Sequence, residues 1–193
     1  MNPYYQDEQV TIYHGDCREV LPALQPGCII TDPPYPDYHE ALYQQTDIEC
    51  LKAFDCRQFI FWSARADFPL DWTGIHIWDK KIGVGVQYER IFERNGNETC
   101  EIFRHYFINS TVAASFAREV FTGHPSQKPL SLLAELIVRC PDGSVVDPFM
   151  GSGSTLVISK QLGRQAIGIE VDERYCEMAV KRLAQGALFT EAV

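Results

Sequence analysis

The chain has 193 residues, a formal net charge of −9 and a hydrophobic fraction of 46%. These values fit one globular domain, spanning 1–193, with a sizeable core. No apolar run approaches the ~20 residues of a membrane span, and Met1–Tyr5 lack the basic flank and apolar core of a signal peptide. No membrane contact and a cytoplasmic location are therefore expected. The seven cysteines include no Cys-x-x-Cys pair, so free thiols are expected, with neither a zinc site nor a disulfide framework. The acidity is local. Residues 1–56 carry ten acidic and two basic side chains, residues 57–104 seven of each, and residues 105–193 nine and eight. A basic face built from the middle segment is compatible with a polyanionic partner, with weak, salt-sensitive affinity expected.

Val10-Thr11-Ile12-Tyr13-His14 alternates, is rich in β-formers and reads as a strand ending at Gly15-Asp16-Cys17. Arg18 to Leu24 reads as a short helix stopped by Pro26-Gly27, with Asp16 placed to cap it. Cys28-Ile29-Ile30 reads as a buried strand end that runs into Thr31-Asp32-Pro33-Pro34-Tyr35. Residues 38–54 look helical, with Tyr38, Leu42, Tyr43, Leu51 and Phe54 as packing positions. Gln58–Trp62 is another buried strand. Gly74–Lys81 alternates and ends polar, and Tyr88–Arg94 ends at the tight-turn dipeptide Asn95-Gly96. Between those two lies a glycine-rich loop, Gly83-Val84-Gly85-Val86.

His124-Pro125-Ser126-Gln127-Lys128-Pro129 precedes an amphipathic helix with Leu132, Leu133, Leu136 and Ile137 inward. Asp142-Gly143 turns the chain into the strand Val145-Val146, which runs into Asp147-Pro148-Phe149-Met150-Gly151-Ser152-Gly153-Ser154-Thr155. Leu156 to Gly163 reads as a helix ending on glycine. Ala166–Glu170 is a strand ending on an acid. Asp172 is placed to cap a last helix, Glu173 to Ala184, with Tyr175, Met178, Ala179 and Leu183 inward.

Two of these turns carry chemistry. In the first, each proline fixes φ at about −65° and has no N–H. The result is a rigid turn offering a carboxylate, carbonyls and an aromatic ring. It suits an exocyclic amino group on a flat heterocycle, whose two N–H protons find acceptors while Tyr35 covers the ring face. Taken alone, a Pro-rich turn with Asp32 as a cap and Tyr35 as packing fits about as well. In the second, small residues let a ligand reach backbone N–H groups at a helix N-terminus. Glu170 follows the glycine pair by about 20 residues, the spacing at which an acid bonds ribose hydroxyls.

At these two turns the sequence resembles the S-adenosylmethionine-dependent amino-methyltransferases of DNA, the N6-adenine/N4-cytosine family. Asp32-Pro33-Pro34-Tyr35 is similar to the family's catalytic motif, and Asp147 to Thr155 is similar to its cofactor loop. The catalytic motif comes first, which resembles the circularly permuted β-class order. The resemblance implies a mostly parallel, doubly wound, Rossmann-like α/β sheet with helices on both faces. The two turns are then expected at the carboxyl ends of adjacent strands.

For the cofactor, the resemblance implies a contact from Asp16 to the adenine; Glu170 is the acid placed for the ribose, and Cys17 and Val171 beside them belong to the cofactor-binding set. His124, Ser126, Gln127 and Lys128 lie in the segment that holds the methionine end. Asp32 and the loop residues Asp147, Pro148, Phe149, Gly151, Ser152, Gly153 and Thr155 complete the set. Trp78, Lys80 and Glu89 fit a recurring Trp-x-Lys stretch and Glu-bearing strand, although a hairpin covering the sheet edge explains them equally.

The implied reaction is direct in-line methyl transfer to the N6 of an adenine flipped out of duplex DNA. Asp32 and the Pro33 carbonyl accept the amine's protons, and Tyr35 stacks on the base. Cytosine N4 is the alternative, RNA is a further one, and a homodimer is compatible. A short target-recognition region is expected at about 83–123. Arg104, His105, Arg118, Phe103, Tyr106 and Phe107 are its candidates, against the plainer reading of a packed strand with a solvated Arg face. Two other classes compete. A Rossmann oxidoreductase lacks its third glycine, since position 156 is Leu. A non-catalytic cofactor- or DNA-binding subunit leaves the intact Asp32–Tyr35 motif without a use.

Overall fold

The computed structural model describes residues 2–35, 48–81, 87–108, 110–111, 114–115, 119–123 and 127–186. The strands are β1 (Tyr5–Gln6), β2 (Val10–His14), β3 (Cys28–Thr31), β4 (Arg57–Trp62), β5 (Gly74–Asp79), β6 (Tyr88–Arg94), β7 (Ile102–Arg104), β8 (Val145–Asp147) and β9 (Ala166–Glu170). The helices are α1 (Cys17–Val20), α2 (Leu130–Ile137), α3 (Ser154–Gln161) and α4 (Glu173–Gly186). One sheet contains all these strands in the order β1-β2-β9-β8-β3-β4-β6-β5-β7.

The run from β2 to β4 is parallel throughout. β3 is the middle strand of the nine-stranded sheet, and all four of its residues are buried. Side chains alternate across a strand. Cys28 and Ile30 therefore meet Leu132, Leu133, Leu136 and Ile137 of α2 on one face. Ile29 meets Cys17, Val20, Leu21 and Leu51 on the other. Further along the first face, Val10, Ile12 and Ala166 pack under Leu156, Cys176, Ala179 and Leu183 of α3 and α4. The expected doubly wound α/β sheet is present, with its helices on both faces.

Three regions depart from the sequence reading. The hairpin of β5 and β6 extends the sheet. It places β6 between β4 and β5, antiparallel to both, and leaves β7 at the edge. The helical reading of 38–54 lies mostly outside the described residues, and its described end is a 3-10 turn, Glu49–Ala53, with Leu51 buried. In 97–123, Phe103 is buried and Phe107 packs against the core. The packed-strand reading therefore holds for Phe103, because a large ring on a short edge strand gains most by facing inward, while Phe107 packs from the segment after that strand. Arg104 is exposed beside Asp79, 3.6 Å away, while Arg118 is outside the described residues. No helix among the described residues is long and apolar enough to cross a membrane. None of the seven cysteines is in a disulfide.

The amino end of α2 gives the first testable consequence. The Leu130 N–H donates to Glu119 Oε1 at 2.8 Å, while Glu119 Oε2 is buried with no hydrogen-bond partner among the described residues. Burial pushes the Glu119 carboxyl up to about 7 from 4.5. A carboxyl raised in the fold contributes stability that is fully present below about pH 4.5 and is lost as pH rises through about 7. Glu119→Gln keeps the acceptor for Leu130 and removes that loss. Thermal melts should show no gain at pH 4 and a gain of about 1 kcal/mol at pH 8, allowing for partial solvent screening. Equal melting shifts at both pH values would contradict this.

Candidate active site

The order of the parallel strands reverses between β8 and β3. From β8 the chain proceeds to β9 on one side, and from β3 it proceeds to β4 on the other. Crevices outside the carboxyl ends of strands form at such a switch point. Asp147 ends β8, Thr31-Asp32 ends β3, Glu170 ends β9 and His14-Gly15-Asp16 ends β2. The Thr31 hydroxyl donates to Asp147 Oδ1 at 2.7 Å, so the two sequence turns are tied together at their bases.

The Asp147–Thr155 turn is built around a buried carboxylate. Asp147 accepts from the Phe149 N–H at 3.2 Å as well as from Thr31. Burial raises its carboxyl to about 6, against the pull of the Thr155 and Thr31 hydroxyls. Gly151 and Gly153 have left-handed φ values of 48° and 77°. Gly153 is the N-cap of α3, and no side chain caps that helix. Its amino end therefore presents backbone N–H groups to the crevice. Arg182 of α4 braces the turn from behind, donating to the Ser152 carbonyl at 2.8 Å and to Ser154 Oγ at 2.9 Å. The sequence reading missed Arg182, which carries no motif and sits on an otherwise ordinary amphipathic helix.

Glu170 receives the Gly151 N–H on one oxygen and the Asp172 N–H on the other, both at 2.9 Å. Each carboxylate oxygen keeps a second lone-pair direction for a ligand hydroxyl. Asp16 caps α1 through the Arg18 N–H at 2.9 Å, and the Arg18 guanidinium also grips its carboxylate. Hydrogen bonds from Arg18 hold the Asp16 carboxyl below its usual range, so it stays an acceptor. Cys17 is buried behind it, and Val171 is exposed. Pro148 is buried and Phe149 half-buried.

The Asp32–Tyr35 turn lies over a buried ion cluster. Lys128 donates to Asp32 Oδ2 and lies 3.4 Å from Glu89 Oε2. Lys80 bonds Glu89 Oε1 at 2.6 Å. The Tyr35 hydroxyl donates to Asp32 Oδ1 and lies 3.3 Å from Glu89 Oε2. Both ammonium groups rest on aromatic faces, Lys128 on Phe61 at 5.1 Å and Lys80 on Phe107 at 4.5 Å. Burial pushes the Asp32 carboxyl up, against Lys128 and with Glu89. Burial also opposes charge on Lys128, but Asp32 and Glu89 overcome it and hold Lys128 above its ordinary value. Burial, with both carboxylates nearby, raises Tyr35 well above its ordinary value, so it remains a donor.

This arrangement modifies three expectations. Lys128 is engaged by Asp32 and Glu89 rather than placed as an open cation, since a buried ammonium needs carboxylate partners. The Tyr35 ring packs edge-on against Trp62, with centroids 5.7 Å apart, rather than lying over an open face. Gln127 is buried and bonded to its own chain, accepting from the Thr122 N–H at 2.9 Å and donating to the Val120 carbonyl at 2.9 Å. His124 and Ser126 lie outside the described residues. Pro33 is buried and Pro34 half-buried. Lys80 and Glu89, which fitted the sequence pattern without a definite role, join Asp32 in one cluster.

Known proteins resemble this chain in sequence and in fold. A family model described as DNA methylase, of the N6/N4 methyltransferase group, matches residues 58–181. That span holds Lys80, Glu89, Lys128, the Asp147 turn and Glu170, but not Asp32. The type II methyltransferase M.ScaI of Streptomyces caespitosus is 24% identical, over 94% of this chain and 83% of its own length. The M1.HpyAVI–SAM complex is 25% identical with a TM-score of 0.63, covering 90% of this chain and 100% of that one. PvuII DNA methyltransferase, described as cytosine-N4-specific, has a TM-score of 0.65 at 16% identity over 93% of this chain and 88% of that one. At that identity it shows the shared fold alone.

Proposed function

Because the chain belongs to the N6/N4 DNA methylase family, we propose that it methylates the exocyclic N6 of adenine in DNA, with S-adenosylmethionine as the methyl donor. The observation that carries this reading is the joining of Asp32 to the Asp147 turn at one switch-point crevice, through the Thr31–Asp147 hydrogen bond. An acceptor for an amine and a cradle for a cofactor then face the same space. S-adenosylmethionine, when bound, supplies an electrophilic methyl group on a sulfonium.

The residues present fit that cofactor. The left-handed Gly151 and Gly153 hold the turn open beside the uncapped end of α3. Glu170 offers lone pairs for the ribose, and ionised Asp16 offers an acceptor for the adenine amine. Asp32 accepts an N–H of the target amine, which draws the nitrogen lone pair out of the ring and opposes the positive charge growing on it. The amine nitrogen would take the methyl from the bound donor, which departs as a neutral thioether, and Asp32 would take the proton that the amine gives up. Tyr35 covers the flipped base after leaving its seat against Trp62.

Adenine is preferred over cytosine because the motif begins with Asp32, which in the family accompanies adenine more often than cytosine. We place target recognition in 83–123, and the duplex is the substrate with its base flipped. We also propose a place beside a type II restriction enzyme, in the cytoplasm; the likeness to a type II methyltransferase supports the first of these. Glu170→Ala should weaken S-adenosylmethionine binding roughly tenfold by titration calorimetry, the loss of about one charge-assisted hydrogen bond. Unchanged affinity would remove Glu170 from the cofactor site.

A further inference from the structure

The amine acceptor in this structure is already occupied. Tyr35 covers one oxygen of Asp32 and Lys128 covers the other. An incoming amine must therefore displace at least one of these donors. Lys128 is 6% exposed, so a displaced ammonium cannot turn to water. A buried cation without a partner is strongly disfavoured. Within reach of both donors there is a single other carboxylate oxygen among the described residues, Glu89 Oε2, at 3.4 Å from Lys128 and 3.3 Å from Tyr35.

Resting on the function proposed above, we propose that Glu89 is a positioning residue for the transfer: it receives Lys128 and Tyr35 when the target amine takes their places on Asp32. Against burial, Lys128 and then Lys80, which bonds the other oxygen of Glu89 at 2.6 Å, hold the Glu89 carboxyl below its ordinary range. The arrangement lets Asp32 stay capped and paired when no base is present. It becomes a free acceptor on base entry, without leaving any charge stranded.

The charges around Asp32 come from four other elements. Lys128 precedes α2, Glu89 lies on β6, Lys80 follows β5 and Asp147 ends β8, while Tyr35 comes from the turn of Asp32 itself. Neutralising Glu89 removes a negative charge next to Asp32 and neutralising Lys80 removes a positive one. The two changes therefore move the ionisation of Asp32 in opposite directions.

The test compares methyl-transfer pH profiles of the wild type, Asp32→Asn, Glu89→Gln and Lys80→Met on duplex DNA, with S-adenosylmethionine affinity measured alongside. Asp32→Asn should be inactive. Glu89→Gln should keep its cofactor affinity, lose roughly tenfold in kcat, and move the acid limb down by about one pH unit. Lys80→Met should move that limb up. The inference falls if Glu89→Gln turns over like the wild type, or loses activity with its acid limb in place while Asp32→Asn is inactive. If Glu89→Gln does not fold, the limb of Lys80→Met decides, and an unmoved limb overturns the inference. An active Asp32→Asn would overturn the role of Asp32 itself, and this inference with it.

Discussion

Asp32→Ala should all but abolish methyl transfer and leave S-adenosylmethionine binding within about twofold of the wild type. The expected loss in kcat is on the order of a hundredfold to ten-thousandfold, the range for losing the group that handles a proton at the reacting atom. Alanine leaves the amine nitrogen delocalised into its ring and the growing positive charge uncompensated. The cofactor side should be little affected, because its carboxylates are Glu170 and Asp16, each held by its own chain. Stability should fall less than for an ordinary broken buried pair, since Lys128 keeps Glu89 at 3.4 Å. A kcat within tenfold of the wild type would remove Asp32 from the chemistry. Intact turnover with weakened cofactor binding would assign it to the cofactor alone.

Gly153→Ala should be strongly destabilising, because the added methyl meets both a backbone and a packing cost. The residue sits at φ 77°, where a Cβ costs about 1–2 kcal/mol. A Cβ there also lies 2.7 Å from the Cβ of Ala179 on α4, and overpacking of that kind costs typically about 1–3 kcal/mol. Together they lower stability by roughly 2–5 kcal/mol, or roughly 4–20 °C in Tm for a chain this size. Cofactor affinity should drop as well, because the same methyl pushes α3 away from α4 and moves the turn. Ala179→Gly in the Gly153→Ala background should recover the packing part and not the backbone part. A Gly153→Ala protein that melts with the wild type would show that the turn is not built on this contact.

Much of this was readable in the sequence, for physical reasons that differ by region. The parallel core was legible because β3, β4, β8 and β9 are short apolar runs ending on acids or turn residues, and a strand buried on both faces needs that composition. The two turns were legible because prolines and glycines leave few alternative backbones. The order β4-β6-β5 was not, since an antiparallel hairpin and a sheet interior place the same demand on Tyr88–Arg94. The ion cluster was only half visible. Glu89 and Lys128 are 39 positions apart in the chain, and nothing local marks a lysine as buried. Its burial follows from Phe61 and Trp78, which roof Lys128 only after the strands assemble. Tyr35 was read as an open stacking face, yet its ring also completes the packing around Trp62.

The most direct test of the central claim is transfer of a labelled methyl group from S-adenosylmethionine to unmethylated duplex DNA, followed by mass spectrometry of the digested nucleosides. N6-methyldeoxyadenosine, absent with Asp32→Ala, is the expected product. N4-methyldeoxycytidine would keep the site and overturn the base. Cofactor binding with no labelled nucleoside would contradict the proposed activity on DNA.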